Sequence, residues 1–539
     1  MTATLDGLLA AQAQERPDAA ALVLPRGRGW RTTTYRQLDR RVDALAAGLQ
    51  AAGVRPGMRT ALLVPPTGEF FALAFALTRL RAVPVLVDPG IGRDNVRDCL
   101  AEAAPEAFVG VPKAHLARRL LGWAASAHVL VTAAALPVPG TRGLRRVEQD
   151  GRWRLPFTPP RRPDGSPASI FFTSGSTGPP KGVEHGDAQL VAVAGLVRDL
   201  YGMGPGEVSL ATFPPFALFG PVLGMTTVVP RMEPTRPADV VPARIAAAAE
   251  RAGATVMFGS PALLDTLSRG GVPMPTVRRV VSAGAPVPRT VQRRTLALLQ
   301  PGAQVHTPYG ATEALPVATI GSDELLALPE PGICVGRPVP GVDVALVRVT
   351  DAPLAELTPD LLVGPGEVGE VVVRGPVVSP AYIERPEATA AAKLLWDGRL
   401  AHRMGDLASW DDEGRLWFAG RKAHVVHTAD GPLYSVPCEE VFNAHPAVRR
   451  TALVPVGPPP ASTPVLCVEP EPGVRPTPAL SEELLALGRS DPQTRAVAHV
   501  LYPPAFPVDI RHNSKIDRPR LGRWAERQLD GTASSGDRP

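Results

Sequence analysis

The chain has 539 residues, 45% of them hydrophobic and 20% charged, which suits a globular protein with a sizeable core and more than one domain. A net charge of +5 is small for this length, so no nucleic-acid-binding surface is expected. Four scattered cysteines (Cys99, Cys334, Cys438, Cys467) have neither metal-ligand spacing nor a disulfide framework, which points to a reducing, cytoplasmic setting.

Residues 1–17 lack the basic start and apolar run of a signal peptide, and the most apolar stretch, 70–77, is too short for a transmembrane segment. Periodicity predicts a helix over 5–14, strands over 19–23 and 30–34, and a helix over 35–52 with Leu38, Val42, Leu45 and Leu49 on one face. A strand over 60–64, a helix over 70–80, a strand over 83–87, a helix over 94–103 and a strand over 107–111 follow. This alternation predicts an α/β fold with layered, mainly parallel sheets. Segment 112–123 carries Lys113, His115, Arg118 and Arg119 and reads as a solvated helix side; Pro- and Arg-rich 149–167 reads as a linker.

That linker leads into Ser169-Ile170-Phe171-Phe172-Thr173-Ser174-Gly175-Ser176-Thr177-Gly178-Pro179-Pro180-Lys181-Gly182. The apolar run predicts a short buried strand. The glycines let the backbone turn and bring its N–H groups close to an anion. Thr173, Ser174, Ser176 and Thr177 add short donors around Gly175 and Gly178, and Lys181 adds a point charge suited to phosphate. The stretch is read as a clamp for nucleotide β- and γ-phosphates. It is not a Walker A loop, which needs Gly-Lys followed by Ser or Thr at the start of a helix. The chain has five lysines (Lys113, Lys181, Lys393, Lys422, Lys515) among 57 basic residues, so a retained lysine marks a place where arginine's planar fork does not serve.

Beyond the loop, 187–200 predicts a helix and Thr212-Phe213-Pro214-Pro215-Phe216-Ala217-Leu218-Phe219-Gly220 an apolar corner. Val280-Val281-Ser282-Ala283-Gly284-Ala285-Pro286 reads as a strand ending in a small-residue turn. Tyr309-Gly310-Ala311-Thr312-Glu313, a turn and strand over 366–375, His402-Arg403-Met404-Gly405-Asp406-Leu407, the run ending at Gly420-Arg421, and Asn513-Ser514-Lys515-Ile516-Asp517-Arg518 follow in order.

These motifs together resemble the acyl-adenylate-forming superfamily: acyl- and aryl-CoA ligases, luciferases and the adenylation domains of peptide synthetases. The resemblance covers about the whole chain. It implies ATP and Mg²⁺ as cofactors, with Thr173 to Gly178 and Lys181 on the phosphates and Gly284, Ala285 and Pro286 along the adenine. Tyr309 would offer its ring face to adenine next to Gly310, Thr312 would bind phosphate and Glu313 would hold the metal. Asp406 and Arg421 would contact the ribose, and Lys515 would be the catalytic lysine. Thr173 and Glu313 join it in the implied catalytic set. Met404 and Ser514 depart from the family's threonine and glycine, and Ala423 stands where the hinge residue is usually aspartate or lysine. The implied domains are 1–420 for ATP and acyl binding, 421–529 as an α+β lid carrying Lys515, and 530–539 as a disordered tail.

Phe216, Ala217, Phe219 and Gly220 fall where this family lines its acyl pocket. No aspartate stands there for a substrate ammonium, so an apolar acid is expected. A closer resemblance rests on Leu86-Val87-Asp88-Pro89-Gly90, the stretch 105–119, the stretch 307–317 and Gly420-Arg421-Lys422-Ala423-His424. These are similar to β-lactone synthetases of long-chain olefin biosynthesis and of β-lactone natural-product pathways. The implied reaction is adenylation of a 2-alkyl-3-hydroxy fatty acid followed by attack of its own 3-hydroxyl. His185 and His306 flank the phosphate and adenine motifs and are the expected bases. A pathway ketoreductase and lactone decarboxylase are implied as partners. The alternatives are a long-chain acyl-CoA ligase, an acyl-AMP ligase, or a non-catalytic adenylate-binding protein.

Overall fold

The computed structural model describes residues 3–27, 29–134, 137–172, 179–508 and 516–530. Among them, two seven-stranded sheets stack with helices between and outside them. One sheet runs Arg142–Gly143, Val129–Thr132, Ala107–Gly110, Arg59–Leu63, Val83–Leu86, Ser169–Phe172, Gly182–His185, parallel until its last hairpin. The other runs Gln304–His306, Arg279–Val281, Val256–Phe258, Val208–Ala211, Thr226–Val228, Ala20–Arg26, Gly29–Thr34, again with an antiparallel last pair. Parallel strands covered on both faces are apolar throughout, as Ala107–Gly110 is, with all four residues buried.

The helices between the sheets begin with sequence-coded caps. Thr4 accepts from the Gly7 N–H at 3.2 Å ahead of helix Leu5–Glu15, and Thr34 forms a capping box with Gln37 ahead of helix Tyr35–Ala51. Leu9, Leu38, Leu45, Leu73 and Phe75 then join residues of both sheets in the largest core. The linker expected over 149–167 is shorter than the composition indicated. Helix Leu144–Arg152 takes its first four residues, because Leu144 and Val147 are buried against helix Tyr35–Ala51. Gly48 and Gly151 let the two backbones touch, since a Cβ at either position would collide with the other helix or its flank.

A third, antiparallel sheet of eight strands runs from Tyr309–Ala311 through Ala314–Thr319 and Ile333–Pro338 to Leu416–Arg421, Arg399–Trp410, Gly369–Arg374 and Asp343–Val347, with Lys393–Trp396 beside Arg399–Trp410. It carries most of the later motifs. Strand Leu416–Arg421 ends one residue past the division expected after 420. The small C-terminal domain that follows has cores of its own, one around Phe442, Leu453 and Leu484 and another around Val454, Leu521 and Trp524. Glu471 reaches across to Arg269 at 3.7 Å. Asp530 caps the last helix, and 531–539 lie outside the described residues. Among the described residues, no helix is long and apolar enough to cross a membrane.

Candidate active site

A cavity of about 2840 Å³ opens where the strands of the parallel sheets end and the third sheet begins. Its wall includes Lys181, His185, Ala283, Gly284, the run Gly310 to Glu313, Arg421 and Ala423. The motifs that lie far apart in sequence thus meet at one opening. Ala285 and Pro286 lie just beyond Gly284 and are not on its wall.

The phosphate-clamp stretch spans the hairpin of Ser169–Phe172 and Gly182–His185, with Phe172 opposite Gly182. Thr173 to Gly178 lie outside the described residues, as does Lys515. Gly182 is required by contact: a Cβ there would overlap Ile383 and Phe172. The Lys181 ammonium stands 4.9 Å above the centre of the Tyr382 ring, a cation–π contact. Tyr382 in turn donates its hydroxyl to Glu313 Oε1 at 2.7 Å. Burial and the adjacent carboxylate raise the Tyr382 pKa, so the phenol stays protonated and remains the donor. Oε2 of Glu313 takes no hydrogen bond among the described residues. A carboxylate held at one oxygen beside a lysine suits Mg²⁺, which prefers carboxylate and phosphate oxygens and few protein ligands. Gly310 supports this turn, because a Cβ there would lie 2.5 Å from the Ala314 carbonyl oxygen.

Next to Glu313, Asp406 accepts the Tyr309 hydroxyl at 2.8 Å and forms an ion pair with Arg421 Nε at 3.0 Å. Arg421 also donates to the Met404 carbonyl at 3.0 Å. Opposite pairing across the sheet sets this up, since Asp406 and Arg421 are register partners. Met404 and Gly405 reach the cavity while Tyr309 and Asp406 stand behind it. Arg421 is therefore the member of this trio exposed to a ligand in the wall.

The two expected bases sit differently. His185 lines the cavity but is 6% exposed, and its Nε2 donates to the Thr312 carbonyl at 3.0 Å. The remaining nitrogen, Nδ1, is buried without a hydrogen bond among the described residues. His306 ends strand Gln304–His306 and packs its ring 5.1 Å from Tyr201, away from the cavity wall. Burial lowers both pKa values to about 4, and that of His424 to about 3. His402 is pushed down as well, first by burial and then by Lys393.

These depressed histidines make a pH prediction. Each stays neutral in the fold and takes up a proton in the unfolded chain below its usual value of about 6.5. The unfolded state then binds more protons, so stability is flat above about pH 7 and falls as pH drops from 6.5 toward 4. Unfolding near pH 5.5 should take up as much as one proton per buried histidine. Calorimetric unfolding in buffers of different ionisation enthalpy measures that uptake. A melting temperature unchanged between pH 7.5 and 5 contradicts it.

The aromatic corner forms two short helical turns, Pro214–Ala217 and Phe219–Val222. Phe216 stacks on Phe258 at 4.2 Å, and Phe213 and Phe219 flank the pair. Phe216 and Phe219 line the main cavity. Ala217 does not: it is 3% exposed and belongs to the core between the sheets, because a helical turn puts its methyl opposite the phenyl rings. Gly220 is also turned away and borders a small apolar hollow of about 50 Å³ beneath Phe216. A Cβ on Gly220 would strike the Thr227 hydroxyl.

No sequence motif assigns a role to Tyr382, Lys393 or the pair Glu370–Arg403. Lys393 had a signal, as one of the five lysines. Tyr382 had none, because its approach to Glu313 is a contact across 69 residues.

A family model described as AMP-binding enzyme matches residues 9–383. The chain is 48% identical to the olefin beta-lactone synthetase of Stenotrophomonas maltophilia (strain K279a), over 97% of this chain and 98% of that protein. It is also 48% identical to the olefin beta-lactone synthetase of Xanthomonas campestris pv. campestris, over 96% of each chain. Among solved structures it is similar to the amide bond synthetase McbA from Marinactinospora thermotolerans, with TM-score 0.79, 25% identity and coverage of 97% of this chain and 99% of that one. The anthranilate CoA ligase AuaEII, solved with anthranoyl-AMP, shares the fold with TM-score 0.80 at 19% identity, over 98% of each chain.

Proposed function

The chain belongs to the AMP-binding enzyme family, and from that premise we propose that it is an AMP-forming ligase that converts a 2-alkyl-3-hydroxy fatty acid into a β-lactone. The observation that carries this reading is 48% identity to olefin beta-lactone synthetases along nearly the whole chain. In the first step a carboxylate oxygen attacks the α-phosphorus of ATP, the bond to the β-phosphate breaks and pyrophosphate leaves. Two anions must meet, so positioning and charge neutralisation supply most of the catalysis. Lys181, the loop Thr173 to Gly178 and Thr312 would hold phosphate oxygens. Glu313 would hold Mg²⁺, which would supply positive charge against the leaving pyrophosphate. Lys515 would bridge the carboxylate and the α-phosphate. Gly284 and Gly310 would bound the adenine, with Ala285, Pro286 and Tyr309 just behind that wall and Arg421, held by Asp406, at the ribose.

In the second step the 3-hydroxyl oxygen attacks the acyl carbon, its proton passes to a base, and AMP leaves as the four-membered ring closes. Of the two histidines, only His185 lines the cavity, and it is the base we favour. Phe216 and Phe219 would pack an alkyl chain. The ring-closing nucleophile is part of the substrate, so no second substrate need enter. The protein would act in the cytoplasm, with a ketoreductase supplying the hydroxy acid and a decarboxylase consuming the lactone.

The test is mass spectrometry after incubation with MgATP and a long-chain 2-alkyl-3-hydroxy acid, with and without CoA. The expected product forms without CoA, is lighter than the acid by one water, and appears with AMP. Acyl-CoA formed only on CoA addition instead makes the protein a CoA ligase. In the same assay, His185→Ala should accumulate acyl-adenylate; full lactone yield from that variant removes His185 as the base.

A further inference from the structure

Lys393 opens strand Lys393–Trp396, at the end of helix Pro386–Ala392, and is 8% exposed. Its ammonium donates to the Ser379 carbonyl at 2.6 Å and to the Ser379 hydroxyl at 3.1 Å. Both acceptors are neutral, and among the described residues no carboxylate lies within ion-pair distance of Nζ. Ser379 is fully buried, and its N–H donates to the Glu313 carbonyl oxygen at 2.8 Å. Three residues later Tyr382 donates to the Glu313 carboxylate. Segment 379–382 therefore grips Glu313 at its backbone and at its side chain, and Lys393 holds that segment from the protein side.

A buried ammonium without a counter-ion is costly and persists where the charge is used. Burial lowers the Lys393 pKa to about 7, and Glu313 is the group that raises it. The imidazoles closest to this charge, His185 and His402, are held neutral by burial. Arginine is the cation this chain prefers, yet the slot over Ser379 keeps a single-headed ammonium.

We propose that Lys393 is a positioning residue for adenylation: it fixes the Ser379–Tyr382 segment so that Glu313 is presented to a metal–polyphosphate. The proposal rests on the adenylation reading given above. It places a second lysine behind the site, in addition to Lys181 in the wall.

The test compares Lys393→Met, which keeps length and removes the charge and donors, with the parent protein. Hydrogen exchange is followed without nucleotide, and pyrophosphate release is followed across a Mg²⁺ titration. In the variant, peptides covering 309–316 and 377–383 should exchange about tenfold faster while the C-terminal domain is unchanged. Pyrophosphate release should fall about 10²-fold, with half-saturating Mg²⁺ raised several-fold. AMP affinity by calorimetry should stay within about twofold, since the Tyr309–Asp406–Arg421 trio is untouched. Unchanged exchange at both peptides overturns the proposal, and so does an unchanged Mg²⁺ requirement. Equal loss of AMP affinity overturns it too, because that marks general damage. If Lys393→Met fails to fold, Ser379→Ala removes one acceptor of Nζ and should shift the same two readouts less far; no shift in either counts against the proposal. Should the parent protein release no pyrophosphate with any acid, the adenylation reading fails, while the exchange experiment still reports whether Lys393 holds the segment.

Discussion

A Glu313→Gln protein is expected to form acyl-adenylate about 10²–10³-fold more slowly than the parent, the usual effect of losing one preorganised electrostatic group. It should nevertheless unfold at nearly the same temperature. The two results separate because the amide keeps the shape and keeps an oxygen to accept the Tyr382 hydroxyl, now held at 2.7 Å. The grip of the Ser379 N–H is on the backbone carbonyl and is unaffected. Only the negative charge facing the cavity is lost. A hard divalent cation binds a neutral amide oxygen more weakly than a carboxylate, so more Mg²⁺ should restore part of the rate. Pyrophosphate release at saturating acid, measured over a range of Mg²⁺, decides it. A rate within threefold of the parent removes Glu313 from the proposed metal site.

Glu370→Ala should lower stability by about 3–5 kcal/mol, the cost of leaving a buried charge without its partner. Glu370 and Arg403 form a 2.6 Å ion pair with side-chain exposures of 2% and 3%. Lys422 approaches the same carboxylate at 3.4 Å, and both cations also donate to the Thr350 carbonyl. Removing the carboxylate leaves the buried Arg403 directed at backbone oxygens alone, while Lys422 keeps the exposed Asp351 at 3.5 Å. The three residues sit where strand Gly369–Arg374, strand Arg399–Trp410 and the turn after Arg421 converge at the cavity. The loss should therefore loosen the junction leading to the C-terminal domain. Urea titration followed by tryptophan fluorescence measures it. A change below about 1 kcal/mol would mean that Arg403 finds sufficient partners in its carbonyl bonds alone.

Much of the site was legible in sequence, for a physical reason. Binding nucleotide phosphates draws on short-range chemistry: glycines for backbone turns, hydroxyls and one lysine in a row, then Tyr-Gly-Ala-Thr-Glu. Such chemistry is written in consecutive residues. The α/β layering was equally legible, because strands buried on both faces are apolar runs and the helices between them begin at Thr4 and Thr34 with readable caps. Helix Leu144–Arg152 runs past the linker start expected at 149 from the loop-like composition of its arginines and glycine. What makes that stretch a helix is its docking on Tyr35–Ala51, which local propensity does not encode.

The sequence by itself determined which chemical groups this protein has and, through their order, the family to which it belongs. The tertiary structure decided which of those groups face the cavity and what holds them. Ala217 looked like a pocket residue and lies in the core, because one residue along a helical turn rotates the side chain by about 100°. His306 lies beside the adenine motif in sequence but packs on Tyr201. Lys393 and Tyr382 bear on Glu313 because segment 379–382, held by Lys393, folds back to hydrogen-bond Glu313 from 69 residues away in sequence. Side-chain direction, burial and long-range pairing are properties of the packed sheets, and no single stretch of residues carries them.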